Sequence, residues 1–285
     1  MVYNKRMKET TEQNIFGQKT FFIVPDSEMI PEAYIQDYLC HGYECYIIPD
    51  DKSFPITTKV QTIVSLFPES LLIFDTTQTI KGIEWESYIQ ELQHDCGDKV
   101  KIGVIYSEKW DDKRKTHFKS WYSDYARVEG GLIGLEPGSV KNFDAITKIL
   151  VKNKVLGRRK AVRANCPSNC TVSFTYNGNR FSGSLVDVSI SHFCTDIVLN
   201  GTVLPIYEKI PDASVVINGT CFSSDIVLIL RREVNGNTKC IFMFIKNGGL
   251  PGLSGENEEV FSPIIYSIIS RQCSEAINNA LNGNS

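Results

Sequence analysis

Hydrophobic residues follow different patterns in the two halves of the sequence. In the first half, short continuous apolar runs alternate with amphipathic stretches, as expected for alternating strands and helices. The predicted strands are Phe21–Val24, Cys45–Ile48, Leu71–Phe74, Ile102–Ile105 and Gly131–Leu135. The predicted helices are Pro31–Cys40, Val60–Phe67, Ile80–Leu92, Lys113–Asp124 and Asn142–Val151. Strands that are apolar on both faces need cover on both faces, so this half predicts an α/β domain with a flavodoxin-like parallel sheet.

The second half predicts an all-β domain, because strand patterns here are interrupted by turn dipeptides. The predicted strands are Thr171–Tyr176, Arg180–Val188, Phe193–Leu199, Thr202–Leu204, Ala213–Phe222, Ile226–Glu233 and Lys239–Lys246. Asn177-Gly178 and Asn235-Gly236 are hairpin signals. Six or seven short antiparallel strands close most economically into a small barrel. Residues 256–281 carry apolar side chains at helical spacing, with acids in the first turn, and predict a C-terminal helix.

Length and charge indicate the number of domains and the kinds of partner to expect. At 285 residues the chain predicts two domains. We place a polar tail at residues 1–19, the α/β domain at 20–154, and the barrel with its helix at 155–285. The net charge of −3 gives no general attraction to nucleic acid or to anionic lipid, so neither is expected as a partner. The N-terminal residues lack the apolar core of a signal peptide, and no apolar run reaches membrane-spanning length. We therefore expect a cytoplasmic protein.

The cysteines and histidines predict no metal centre and no catalytic site. Nine cysteines, an odd number and mostly within apolar runs, fit reduced thiols. Cys166 and Cys170 form a close pair, but without a second pair or a histidine at ligand spacing they do not indicate zinc. The four histidines have no nucleophile motif beside them. We therefore expect a protein that is not an enzyme and carries no cofactor.

A basic segment and an acidic one supply the candidate chemistry. Arg159 and Arg163 can present planar guanidinium groups to phosphates and stack on purine rings. Asp187 can accept hydrogen bonds from the Watson–Crick edge of guanine, and the Ser189 hydroxyl can donate or accept. These residues imply a guanine nucleotide with exposed phosphates. In the alternative interpretation, residues 158–163 are a solvated linker and Asp187 caps a hairpin turn.

The order of these residues resembles the PilZ domain, whose motifs are Arg-x-x-x-Arg and Asp-x-Ser-x-x-Gly. The resemblance implies a barrel that binds cyclic di-GMP. It implies that Arg159 and Arg163 clasp phosphate and guanine as the linker wraps over the ligand, with Asp187 and Ser189 on the other guanine. Arg158 is an auxiliary cation. The predicted ligand-binding residues are therefore Arg158, Arg159, Arg163, Asp187, Ser189 and His192.

His192 departs from the family pattern, because it stands where the motif has glycine. A glycine in a turn commonly serves a positive φ or a close approach of backbone to ligand. Histidine enters the left-handed region more readily than β-branched residues do, so we expect the turn to survive and the affinity to fall. This departure supports a second hypothesis, a protein-interaction scaffold that has lost the nucleotide.

Polar residues at the strand ends of the first half suggest a third hypothesis. Asp26, Asp75, Ser107 and Glu136-Pro137 close four of its five strands, a layout that resembles the receiver domain of response regulators. The resemblance implies that Asp75 takes a phosphoryl group beside Mg²⁺. Glu136 stands where that family has lysine and would repel the phosphoryl anion. We therefore expect a degenerate receiver-like domain that contacts protein partners or self-associates, with a phosphorylatable regulator as the alternative.

The first hypothesis is a receptor whose signal is an ordered linker. Because the arginines lie between the two predicted domains, contacts to cyclic di-GMP would favour one interdomain arrangement over others. Nucleotide binding would then reorient the domains and regulate a protein partner.

Overall fold

The computed structural model describes residues 17–51, 53–157, 159, 161–199, 202–234, 237–246 and 248–283. Over these residues the chain forms two compact units. The first, called the α/β unit, comprises residues 17–159 and 274–283. The second, called the barrel unit, comprises residues 161–273. Each unit buries its own set of large apolar side chains.

Five parallel strands form the sheet of the α/β unit. The strands are β1 (Thr20–Ile23), β2 (Cys45–Ile48), β3 (Leu71–Asp75), β4 (Lys101–Ser107) and β5 (Gly131–Leu135). The helices are α1 (Glu32–Cys40), α2 (Ile56–Leu66), α3 (Trp85–Cys96), α4 (Asp112–Ser120) and α5 (Lys141–Lys152). The strand order is β2-β1-β3-β4-β5, which is the flavodoxin-like order. Every residue of β1 and β3 is buried, as expected for strands covered on both faces.

Local hydrogen bonds explain where two helices depart from their predicted bounds. The carboxylate of Glu84 accepts from the backbone N–H of Ser87 at 2.8 Å, so α3 begins at Trp85 and not at Ile80. Asp111 caps α4 in the same way. The predicted helix over Lys113–Asp124 is an α-helix to Ser120 followed by a π-helical turn over Trp121–Tyr125. Hydrophobic periodicity alone indicates neither the capped start of a helix nor a change from an α-helix to a π-helical turn.

The barrel unit contains seven strands and most of the long terminal helix. The strands are β6 (Ala164–Asn165), β7 (Thr171–Tyr176), β8 (Asn179–Val188), β9 (His192–Ile197), β10 (Lys209–Ile217), β11 (Thr220–Val234) and β12 (Asn237–Ile245). The helix is α6 (Gly255–Gly283). Six antiparallel strands run in the order β8-β7-β10-β11-β12-β9, and the pairing of β9 with β8 closes the barrel. The predicted fold class, a parallel sheet plus an antiparallel barrel with a C-terminal helix, is confirmed.

Two strand predictions in this unit are wrong. The predicted strand Ala213–Phe222 is divided between β10 and β11 by a turn at Asn218 and Gly219, with φ values of 49° and 83°. Asn-Gly suits such a hairpin turn, because both residues enter the left-handed region at low cost. The predicted strand Thr202–Leu204 has no regular structure. The predicted turn at residues 235–236 lies outside the described residues.

Stacked phenylalanines fill the barrel. Phe193 stacks on Phe242 with ring centroids 5.2 Å apart, and Phe174 meets Phe242 edge-on at 5.6 Å. Phe261 of α6 packs on Phe222, with ring centroids 4.0 Å apart, so the N-terminal part of the helix packs on the barrel. In the described part of the chain, no helix combines the length and apolar character needed to cross a membrane.

Candidate ligand-binding site

The short strand β6 places Arg163 beside the end of β8. In this antiparallel pair Ala164 lies opposite Val188, and Asn165 lies opposite Asp187. Arg163 directly precedes β6, and its Nη1 atom lies 3.1 Å from Oδ1 of Asp187. Each of these two side chains keeps 23% of its surface exposed. The structure thus joins one residue from each predicted motif in an ion pair that solvent can still reach.

Ser189 lies in the turn between β8 and β9, and its hydroxyl holds this turn together. Ser189 Oγ donates to the carbonyl oxygen of His192 and accepts from the backbone N–H of the same residue, both at 3.1 Å. The residue is only 2% exposed. Its hydrogen bonds are therefore largely used within the protein, and its first effect is to shape the turn that follows Asp187.

His192 begins β9 in an extended conformation. Residue 192 is not among the residues with positive φ, so the turn does not demand the left-handed backbone for which a glycine would be needed. The half-buried ring places Nδ1 2.8 Å from Ser191 Oγ. The physical consequence of histidine at this position is thus an added side chain beside the Arg163–Asp187 pair, and not a strained backbone.

Burial lowers the pKa of His192 below the ordinary histidine range, and the nearby cation of Arg163 lowers it further. Burial also raises the pKa of the Cys166 and Cys194 thiols, with the charge of Asp187 among the further causes. At neutral pH the site therefore combines a neutral imidazole and protonated thiols with one exposed ion pair. This is a polar environment in which Arg163 carries the positive charge.

Sequence reasoning missed Ser191, and it assigned no role to Cys194. Ser191 Oγ contacts both His192 and Ser189, the latter at 3.4 Å. Cys194 lies opposite Asp187 in the β8–β9 register. The only sequence signal for Ser191 was its place between two motif residues. Cys194 had no signal, because its approach to Asp187 depends on strand pairing.

The two remaining arginines of the motif lie before β6. Arg159 is half-buried in the segment that follows α5. Arg158 lies outside the described residues. Their predicted contact with a ligand stays a prediction.

At the strand ends of the α/β unit, Asp75 is entirely buried and fully engaged. Its Oδ2 atom accepts from the backbone N–H of Asp26 at 2.8 Å. Its Oδ1 atom accepts from the backbone N–H of Thr77 at 3.0 Å and from the hydroxyl of Thr77 at 2.6 Å. Burial raises the pKa of Asp75. Neither oxygen is open to solvent, so the carboxylate serves as a structural acceptor between two loops.

Other polar groups at the same edge also bond to their neighbours. Asp26 accepts from the backbone N–H of Glu28 at 2.7 Å and from Gln78 Nε2 at 3.1 Å. Glu136 is exposed. No group of three or more histidine, cysteine, aspartate or glutamate residues that could hold a metal ion occurs within the described ranges.

The fold and the site define a flavodoxin-like α/β unit joined to a closed antiparallel barrel that carries a partly exposed Arg–Asp pair beside β8. No protein-family model and no curated protein matches the chain. Solved structures similar to part of it include YcgR of Escherichia coli in complex with cyclic di-GMP, at 20% identity and a TM-score of 0.35 over 44% of this chain and 51% of that one.

Two further similar structures cover the same share of the chain, 42%. The PilZ domain of YcgR from E. coli with cyclic di-GMP is 18% identical and has a TM-score of 0.33, and the match covers 97% of that structure's chain. The Bacillus subtilis inhibitor of motility MotI is 10% identical, is covered over 53% and has a TM-score of 0.34. The chain thus spans about half the length of the YcgR chain in that complex. PilZ-domain proteins are thus among the solved structures similar to part of this chain.

Proposed function

We propose that this protein is a non-enzymatic receptor for cyclic di-GMP. The observation that carries the proposal is the Arg163–Asp187 pair, with Nη1 and Oδ1 3.1 Å apart and both side chains 23% exposed. A guanidinium can bind phosphate through two parallel N–H groups, and a carboxylate can accept from the two donors of a guanine edge. A cyclic guanine dinucleotide offers both kinds of group in one molecule.

The Arg163–Asp187 ion pair is weak enough to be exchanged for contacts with a ligand. A partly exposed ion pair stabilises a protein by about 0–1 kcal/mol, because water screens it. A charge-assisted hydrogen bond to a ligand contributes about 1.5–3 kcal/mol. Opening or sharing the Arg163–Asp187 pair therefore costs less than the new contacts return. In the free protein both side chains of the pair are partly exposed, so an incoming ligand can contact them.

The linker completes the proposed site. Arg158 and Arg159 join Arg163 around the phosphates, while Ser189 and His192 border the guanine that Asp187 binds. Ordering of the linker on the nucleotide would change the arrangement of an α/β domain (20–154) and a barrel domain (155–285). The α/β domain would transmit that change to a protein partner.

Calorimetric titration of the full chain with cyclic di-GMP tests this function. We expect saturable binding of the dinucleotide and much weaker binding of GTP, whose single guanine cannot contact both Asp187 and the arginines at the same time. If cyclic di-GMP produces neither a heat of binding nor a change in the protein's spectroscopic signal, the receptor proposal is rejected.

The affinity should increase as the pH falls from about pH 8 to about pH 5, because the lowered pKa of His192 in the free protein places its protonation in the lower part of the range in which histidine titrates. Phosphates near His192 favour its charged form, so the complex binds more protons than the free protein. Linkage then requires tighter binding at lower pH. Titrations of the wild type and of His192→Gln at both ends of this range check the expectation. If the affinity changes with pH by the same amount in both proteins, His192 does not face the ligand.

The second candidate function is a scaffold that binds no nucleotide. It is favoured by the side chain of His192 beside Arg163 and by the engagement of the Ser189 hydroxyl within the turn. Replacement His192→Gly separates the two functions. A wild type that binds and a variant that binds somewhat more tightly support the receptor. A wild type without affinity and a variant that gains it support the scaffold.

A further inference from the structure

A cavity of about 280 Å³ lies beside the carboxyl ends of β3 and β4 in the α/β unit. The loop after β3, residues 76–79, lines one side of it. Trp110, which follows β4, and Arg114 of α4 line another. In open α/β sheets ligands bind outside the carboxyl ends of the strands. The cavity therefore occupies a position at which this type of fold commonly holds a ligand.

Two carboxylates border the cavity, and both are engaged within the protein. Glu84 caps α3 through the backbone N–H of Ser87 at 2.8 Å. Glu86 Oε1 lies 3.5 Å from Nε2 of His117. These contacts leave the acidic groups less available to a cationic ligand.

The cation at the cavity is available. The guanidinium of Arg114 lies over the Trp110 ring, 3.8 Å from its centroid. Its neighbour Lys115 pairs with Asp112 at 3.4 Å. Arg114 itself has no carboxylate within ion-pair distance among the residues that the structure describes. A guanidinium stacked flat on an indole keeps its N–H edge free for a bidentate contact with an anion.

The rest of the lining is mixed, with polar side chains from residues 76–79 and His117 beside the apolar surface of Ile83 and the aromatic residues. Phe118 and Tyr122 are buried beside the cavity, and Ile83 also lines it. Burial raises the pKa of Tyr122, and the charges of Glu86 and Glu84 raise it further, so its hydroxyl stays protonated and can donate. The cavity thus combines one cationic anchor and a neutral donor with a lining that is part apolar and part polar.

We propose that this cavity binds a small ligand in which a carboxylate or a phosphate is attached to an apolar ring. The anion pairs with Arg114, and the ring packs against Phe118 and Ile83. This site belongs to the α/β unit, and the proposal does not depend on nucleotide binding at the barrel.

Tryptophan fluorescence can report on this cavity alone. The chain has three tryptophans. Trp85 and Trp110 line the cavity, and Trp121 packs on Tyr122 with ring centroids 4.7 Å apart. Titration of the full chain with benzoate and with phenyl phosphate should give a saturable change, and the stronger response identifies the preferred anion. Benzamide, which matches benzoate in shape but is neutral, should give no change at the same concentrations.

Two variants of the same helix separate a specific contact from general charge. Arg114→Gln should weaken binding of the preferred anion at least about tenfold, because it removes the charge-assisted contact. Lys113→Gln removes a neighbouring exposed cation that does not line the cavity, and it should leave the affinity unchanged. Three results would each overturn the proposal. The first is the lack of a saturable response up to about 10 mM of either anion, the weakest affinity expected for a ligand of this size. The others are an equal response to benzamide and an equal loss of affinity in the two variants.

Discussion

Replacing Arg163 with alanine is expected to weaken the binding of cyclic di-GMP by about 10- to 100-fold, the equivalent of about 1.5–3 kcal/mol. The change removes the guanidinium that we propose to bind phosphate. It also leaves the Asp187 carboxylate without its partner at 3.1 Å, so that an uncompensated negative charge faces the incoming phosphates. Isothermal titration of the full-length variant measures the effect.

Arg180→Ala is the matched control for this experiment. Arg180 is an exposed arginine on the same strand, β8, but it lies at the opposite end, next to the hairpin turn. Its removal changes the net charge equally and should leave the affinity unchanged. Arg163→Lys should bind more weakly than the wild type, since lysine keeps the charge but loses the planar fork. Unaltered affinity in Arg163→Ala would remove this residue from the site.

The linker residue Arg159 provides a separate test of the closing movement. If the linker folds over the nucleotide as proposed, Arg159→Ala should cause a loss of similar size, about 1.5–3 kcal/mol. Loss of affinity in Arg163→Ala alone would confine the ligand to the barrel residues.

Replacing Asp75 with alanine is expected to lower the free energy of unfolding of the α/β unit by about 2–4 kcal/mol. The carboxylate is fully buried and accepts three hydrogen bonds, from two donors of Thr77 and from the backbone of Asp26. Its removal leaves these donors unsatisfied, and each costs about 1–3 kcal/mol unless water enters. Urea unfolding followed by tryptophan fluorescence measures this unit, because all three tryptophans lie in it.

Glu28→Ala is the control at the same edge of the sheet. Glu28 is exposed, so its removal should change stability by less than about 0.5 kcal/mol. Incubation of the wild type with acetyl phosphate should leave Asp75 unlabelled, because neither of its oxygens reaches solvent. A labelled Asp75, together with a small stability loss in Asp75→Ala, would favour a phosphorylatable regulator over the structural role.

Most elements of the fold could be predicted from the sequence, because their signals are local. β2, β5 and β7 have the predicted bounds, and the alternation of strands with helices indicated the parallel sheet. The errors arose where one local signal outweighed another. The segment 213–222 has the apolar residues of one strand, but the Asn218-Gly219 turn divides it. The helix over residues 80–92 begins late, because Glu84 caps it and periodicity carries no information on caps.

The candidate site was predicted as a set of residue types and not as an arrangement. Arg163, Asp187 and Ser189 were chosen for what their side chains can donate or accept. Their roles in the free protein differ from one another in a way that no motif reveals. Arg163 and Asp187 are paired and partly exposed, whereas Ser189 is buried and holds a turn.

The sequence by itself determined most of the strands and helices, that the chain contains two kinds of architecture, and which side chains could recognise a guanine nucleotide. These properties depend on patterns within a few residues, which the backbone enforces locally. Only the tertiary structure decided that Arg163 meets Asp187, that Asp75 is sealed between two loops, and that Arg114 stacks on Trp110 beside a cavity. The first two contacts join residues far apart in the chain and are set by strand register and packing. Arg114 and Trp110 are only four residues apart, but the cavity beside them is built from several elements that packing brings together.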